Sequence, residues 1–267
     1  MSIVVPSGPR RIVCLTEEFT EILYLLGEQN RIVGISAFTE RPPEAKRDKP
    51  VVSAFTGGSV EKIQALEPDL VLGFSDIQAK LAKDLISANL SVLIFNQRTI
   101  QEILGVIVDV GRLVLRGAEA EQLVEQYIAR IDGSRERAAA REHRPRVYFE
   151  EWDEPMISCI RWVSELIEIA GGEEIFAERS QGKLAKERVV SVEAVRQRDP
   201  EIVFASWCGK PFDRASFEQR EGFSAVSAVR TGRVLEVPPE IILQPGPAAL
   251  TDGLDFLEAR IAEAWRQ

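Results

Sequence analysis

Short β-branched runs alternate with longer stretches of helical periodicity from residue 11 onward. Residues 11–15 read as a buried strand; residues 20–26 follow at helical spacing and stop at Gly27, as a helix C-terminus often does. Further strands are expected at 32–35, 70–73 and 92–95, with helices at 59–66, 77–88 and 99–115. Strands separated by helices pair in parallel, so this is an α/β chain. From residue 118 to about 141 the pattern changes: Leu123, Val124, Tyr127, Ile128 and Ile131 fall at helical spacing with no strand between them. One long helix is expected there, weakened at Gly133-Ser134, before a new strand at 147–149. Its place near the middle suggests a connector between a lobe of residues 1–116 and one of residues 144–267, the helix taking 117–143.

The two halves echo each other. Ser59-Val60-Glu61 followed by Pro68-Asp69-Leu70-Val71 returns as Ser191-Val192-Glu193 followed by Pro200-Glu201-Ile202-Val203, at a constant offset of 191 − 59 = 132. A second echo has an offset of 144: Thr20-Glu21-Ile22-Leu23 up to Gly27 against Ser164-Glu165-Leu166-Ile167 up to Gly171-Gly172. In the first unit a serine can cap the free N–H groups of a helix, a carboxylate sits in its first turn, and a proline precedes a buried strand.

Composition narrows the chemistry. The 33 Lys and Arg against 42 Asp and Glu give a net charge of −9, so attraction to nucleic acid is not expected. Cys14, Cys159 and Cys208 lie far apart without C-x-x-C spacing, which excludes a disulfide framework and suggests no zinc site. The lone His143 sits in a charged stretch and reads as a solvated loop residue. No Ser-His-Asp, Cys-His or His-rich constellation is available, and neither catalytic nor metal-ligating residues are expected. Residues 1–6 carry neither a basic leader nor a long apolar run, and no later segment reaches a membrane span.

The ordered motifs resemble the helical-backbone, or class III, solute-binding proteins that deliver vitamin B12, ferric siderophores or haem to ABC importers. The resemblance rests on Arg31-Ile-Val-Gly34, Pro42-Pro43-Glu44-Ala45 and Gly58-Ser-Val-Glu-Lys-Ile63 running into Pro68-Asp-Leu-Val-Leu72. It continues with Val190-Ser-Val-Glu193, Ala228-Val-Arg-Thr-Gly-Arg-Val234 and Gln244-Pro-Gly-Pro247, and spans nearly all of residues 10–260. The vitamin B12-binding branch is the most similar. The resemblance implies two Rossmann-like α/β lobes with parallel sheets joined by a single long backbone helix. It implies a monomeric solute-binding component, periplasmic or extracytoplasmic, partnered by a permease and ATPase complex. It also implies that Glu61 and Glu193 dock against the importer, although each carboxylate equally suits a helix N-terminus.

In open α/β sheets ligands bind beyond the carboxyl ends of the strands. In the first lobe these exits carry Glu17, Glu18 and Phe19, Phe38, Phe55, Phe74 with Ser75, and Asn96 with Gln97. In the second they carry Glu150, Glu151 and Trp152, then Trp207 with Cys208, and Trp162 lies in a similarly turn-rich context. Several aromatics after strands suggest a wide wall for a large conjugated or macrocyclic ligand, with Phe19, Phe38 and Phe55 equally readable as core caps. Acidic residues outnumber the nearby Arg161 and Lys210, which points to a neutral or cationic ligand such as a corrinoid, cobalamin included, held in a cleft between the lobes. The closing segment departs from the family by carrying Gln244 where an arginine is usual and Ile241-Ile242 where an aromatic is usual. A ferric siderophore or haem remains the alternative, as does a cytosolic sensor or an enzyme using Glu150, Glu151 or Asp153 as acid or base.

Overall fold

Three apolar residues buried on both faces begin the first sheet, because a parallel strand covered by helices on each side has no polar face to offer. This strand, β1 (Ile12–Cys14), leads into α1 (Glu17–Leu25), β2 (Ile32–Ser36), the short α2 (Glu44–Asp48) and β3 (Val51–Ser53). Then come α3 (Val60–Ala65), β4 (Leu70–Phe74), α4 (Ala79–Ser87), β5 (Val92–Phe95) and α5 (Ile100–Leu113). The computed structural model describes residues 8–265, so the segment 1–6 read for a leader lies outside it. The five strands pair in parallel in the order β3-β2-β1-β4-β5. Val13, Leu15, Ile63, Val71 and Leu85 form a core on one face of the sheet, and burying each aliphatic side chain contributes about 1.5–3 kcal/mol. The sequence pattern locates every strand of this sheet except β3, whose three residues are too few to show a period.

A single helix, α6 (Gly117–Ala139), runs on for 23 residues. It passes through Gly133-Ser134 without interruption: Ser134 is fully buried and its hydroxyl donates to the Ile169 carbonyl, 3.4 Å away, so tertiary packing overrides weak propensity. The chain divides into two compact units within this helix, between Gln126 and Tyr127, and residues 98–100 belong with the second unit.

The second unit contains β6 (Arg146–Asp153), β7 (Met156–Ser158), α7 (Arg161–Ile169), β8 (Glu173–Glu174), α8 (Val192–Arg198) and β9 (Ile202–Ala205). It continues with α9 (Arg214–Glu218), α10 (Ser227–Arg230), β10 (Val234–Glu236), α11 (Pro239–Ile242) and α12 (Leu254–Trp265). Its sheet runs β10-β9-β6-β7, with β8 also on β6. The sheet is parallel as expected except at one edge, where β7 turns back through Glu154-Pro155 and pairs antiparallel with β6.

Both sequence echoes are structural repeats. Helix α3 begins at Val60 and α8 at Val192, and β4 begins at Leu70 and β9 at Ile202, offsets of 192 − 60 and 202 − 70, both 132. Ser59 accepts from the Lys62 N–H and Ser191 from the Ala194 N–H, each at 3.2 Å. The 144 offset relates α1 to α7 (161 − 17), while the counterpart of β1 is β6, which pairs in parallel with β8 and β9 as β1 does with β2 and β4. Both helices stop at a left-handed glycine, Gly27 (φ 72°) and Gly171 (φ 92°), a conformation that disfavours side chains.

One buried carboxyl sets a pH dependence. Glu174, on β8, is 3% exposed, and burial pushes its pKa up to about 8, with Glu178 and Glu168 adding repulsion against the Phe176 N–H that it accepts. The folded chain therefore holds this proton more tightly than the unfolded chain, whose carboxyl titrates near the ordinary 4.5. The contribution to stability is complete below about pH 4.5 and is lost as pH rises through about 8. Thermal denaturation should find Glu174→Gln melting above the wild type at pH 9, with the two converging near pH 5.

Candidate functional site

At the carboxyl end of the first sheet, one glutamine gathers three loops. Gln78 is fully buried; its Oε1 accepts from the Phe74 N–H at 3.0 Å while its Nε2 donates to the carbonyls of Phe55 at 2.9 Å and Leu15 at 3.3 Å. The loops after β1, β3 and β4 are thereby tied to one side chain. Gly73 makes room for it, since a Cβ there would lie 2.7 Å from the Gln78 oxygen. Ser75 sits beside this knot at φ 62° and ψ 171°, a region that side chains rarely occupy, and its hydroxyl accepts from the Ile77 N–H. Strain is thus stored at a strand exit. Sequence reading placed Gln78 in an amphipathic helix; the signal it missed was a buried amide immediately after the Ser75-Asp76 turn.

Glu18 lies in the first turn of α1 and is 2% exposed. Burial pushes its carboxyl up to about 7, with Glu21 adding to the rise and its own backbone N–H, the Thr16 hydroxyl and the Gln97 amide opposing it. It is a proton-accepting group poised near neutrality at a strand exit. Phe19 beside it is fully buried, its ring 5.6 Å from that of Phe95, and Phe74 is 6% exposed. Both are buried, and Phe19 has the environment of its alternative reading as a core cap. Phe38 is exposed and Phe55 half-buried. Ser75 and Asn96 line an open groove of about 520 Å³ with Asp76, Lys83, Ile86 and Ile94, and none of the expected aromatics reaches it.

The second unit organises its exit around a carboxylate. Glu150 is completely buried and receives Arg220 in a bidentate pair at 2.5 and 2.9 Å, the Tyr148 hydroxyl at 3.0 Å and the Trp207 indole N–H at 3.1 Å. Burial pushes the Glu150 carboxyl up while these donors pull it down. On the opposite face of β6, Glu151 is taken by Arg188, at 2.6 and 3.0 Å, and by the Ile160 N–H. Burial of Asp153 is outweighed by the Lys210 ammonium at 2.7 Å, which holds it below the ordinary carboxylate range. The acidity expected of this exit is therefore neutralised residue by residue. Arg188 and Arg220 were invisible as partners because they stand 37 and 70 positions away along the chain.

Trp162 is 2% exposed and its indole N–H donates to the Ile242 carbonyl at 2.9 Å, which anchors α11. Trp152 and Asp153 are half-buried, and Trp207 is 3% exposed beneath Lys210. Gln244 is 7% exposed with neither amide atom hydrogen-bonded, an arrangement that costs free energy unless another group completes it. Burial raises the thiols of Cys14, to about 12, and of Cys159, which suits inert packing; Cys208 is exposed.

Glu61 is exposed in the first turn of α3, where its own backbone N–H and the Ser59 hydroxyl hold its carboxyl below the ordinary value. Glu193, its counterpart, is exposed but engaged by Arg196 at 3.0 Å and Gln197 at 2.9 Å. His143 pairs with Glu201 at the surface. Among the described residues no cluster of His, Cys, Asp and Glu is arranged to hold a metal ion, and no helix is long and apolar enough to cross a membrane.

Comparison with known proteins places this geometry. The family model for periplasmic binding proteins matches residues 12–241. The vitamin B12-binding protein of Vibrio campbellii is 28% identical over 75% of this chain and 72% of its own length. The cobalamin-binding protein of Halobacterium salinarum is 28% identical over 92% of this chain and 68% of its own. Among solved structures, the periplasmic vitamin B12-binding protein of Vibrio cholerae superposes with a TM-score of 0.76 at 23% identity, covering 98% of this chain and all of that one. A periplasmic haem-binding protein of Pseudomonas aeruginosa superposes at 0.82 with 21% identity, covering 97% and 94%. These last two likenesses establish the two-lobed class III fold.

Removing Arg220 would leave the Glu150 carboxylate buried without its cation. Arg220→Met is expected to cost about 3–5 kcal/mol in urea denaturation, and the pairing is refuted as a stabilising element if the midpoint stays within error of the wild type.

Proposed function

The chain belongs to the family of periplasmic binding proteins, and we propose that it is the solute-binding component of an ABC importer for a corrinoid, cobalamin being the representative ligand. The observation that carries the ligand class is the pair of relatives named for vitamin B12 and cobalamin binding, aligned over 75% and 92% of the chain. The chain's own contribution is the indole faces of Trp152 and Trp207 at the second sheet's exit, which suit the apolar flank of a macrocycle. Phe38 and Phe55 offer partly exposed rings at the first. Haem or a ferric siderophore is the second reading. It is favoured by one specific observation: Glu150, Glu151 and Asp153 are already paired, so charge at the second exit does not repel an anion.

The protein works, in this reading, as a monomer on the extracytoplasmic side and alters no bond of its cargo. Glu61 and Glu193 meet cations of the permease, with α3 and α8 presenting them from corresponding positions of the two repeats.

Titration with cyanocobalamin, haemin and a ferric siderophore tests the ligand. Saturating cyanocobalamin at a hundred times its Kd should add about 2.7 kcal/mol to stability, read as several degrees of Tm; saturation by haemin or the siderophore alone would reverse the ranking. For docking, Glu61→Lys with Glu193→Lys should abolish binding to the permease and ATPase complex while leaving ligand affinity unchanged. Undiminished transport by that double variant would remove the docking role.

A further inference from the structure

The exit of the second sheet contains a box built for a cation, and the chain occupies it. The Lys210 ammonium lies 4.5 Å from the ring centre of Trp152 and 4.8 Å from that of Trp207, with an Asp153 carboxylate oxygen 2.7 Å away. Two negative ring faces and a carboxylate around one ammonium are the elements of an aromatic cation cage. The walls are fixed independently of the lysine. Trp207 donates its indole N–H to the fully buried Glu150 and meets the edge of Phe212 at 4.9 Å, while the Trp152 indole N–H donates to the Glu154 carbonyl at 3.0 Å. The occupant is held less firmly. Lys210 stands on an exposed turn just after Gly209, which adopts φ 81° in open space, and its side chain retains 39% of its exposure.

We propose that Trp152, Trp207 and Asp153 form a recognition site for a positively charged or N–H-donating edge of the ligand, and that Lys210 is its removable internal occupant. The identity of that ligand rests on the function proposed above; the cage itself does not. A corrinoid meets the requirement through the amide N–H groups on its rim, which would replace the ammonium at Asp153 while the ring periphery packs against the indoles. Because the external ligand must displace the internal one, its apparent affinity is lowered by the fraction of molecules in which Lys210 is seated. Lys210 therefore tunes affinity by competing for the cage: the freed ammonium swings into water, and the ligand's N–H groups take over its hydrogen bond to the Asp153 carboxylate.

Two measurements on the full chain test the two halves separately. In Lys210→Ala, n-propylammonium chloride should produce a saturable change in tryptophan fluorescence that sodium chloride at equal ionic strength does not, and the wild type should show none. A Lys210→Ala protein without such a response overturns the cage. In Lys210→Met, which keeps the length of the side chain and removes its charge, cyanocobalamin measured by calorimetry should bind about fivefold more tightly than to wild type, the equivalent of one exposed cation–π contact. Weaker binding would make Lys210 a direct ligand contact, and equal binding would make it a bystander; either refutes the competition. Failure of the wild type to bind cyanocobalamin would instead overturn the corrinoid reading, and the propylammonium result would still decide the cage.

Discussion

A carboxylate with no exposed surface holds the second unit's exit in shape. Glu150 sits in β6, where strand alternation points it inward, and it draws an arginine from position 220, a phenol from position 148 and an indole from position 207 to one point. Burying such a pair is expensive and repays itself only when the remaining lone pairs are filled, as they are here. What the arrangement secures is position: Trp207 is oriented by a hydrogen bond as well as by packing, and the loops before and after it inherit that orientation. The paired carboxylates Glu151 and Asp153 on the same strand extend the pattern toward the surface.

The first unit solves the same problem without charge. Gln78 takes the organising role with a neutral amide and three backbone partners, and Gly73 gives it space. An amide supplies donors and an acceptor together, so it can join loops whose free groups are of both kinds, whereas a carboxylate needs donors only. The two repeats share helix and strand positions yet differ in the residue that gathers their exits. Differences of this type leave the scaffold intact and change which loops and side chains are gathered at the strand exits.

The architecture was largely legible in the sequence, since it is written in local patterns: apolar runs, glycine stops, and serine caps recurring at a fixed offset. The connector helix was read from five apolar positions although Gly133-Ser134 argued against continuity, and Ser134 proved to be buried against α7. What local pattern could not supply was direction and pairing. Strand β7 follows β6 after two residues, too briefly for the pattern to reveal that it reverses. The partners of the exit carboxylates lie tens of residues away, so counting neighbouring charges gave an acidic exit where the fold gives a neutral one. Burial is equally hidden from local pattern: Phe19 and Trp162 are covered while Phe38 is exposed, and nothing in their neighbouring residues distinguishes them. Trp152 and Trp207 emerged from that reading with ring faces available to a cation.

The gap-free recurrence of the capped helix and its following strand has a practical use. A substitution made in residues 60–65 or 70–73 has a positional twin 132 residues later, in the same secondary structure and following the same kind of serine cap. Each half can thus serve as an internal control for the other: an effect common to both twins belongs to the scaffold, while an effect confined to one belongs to whatever that half alone has acquired.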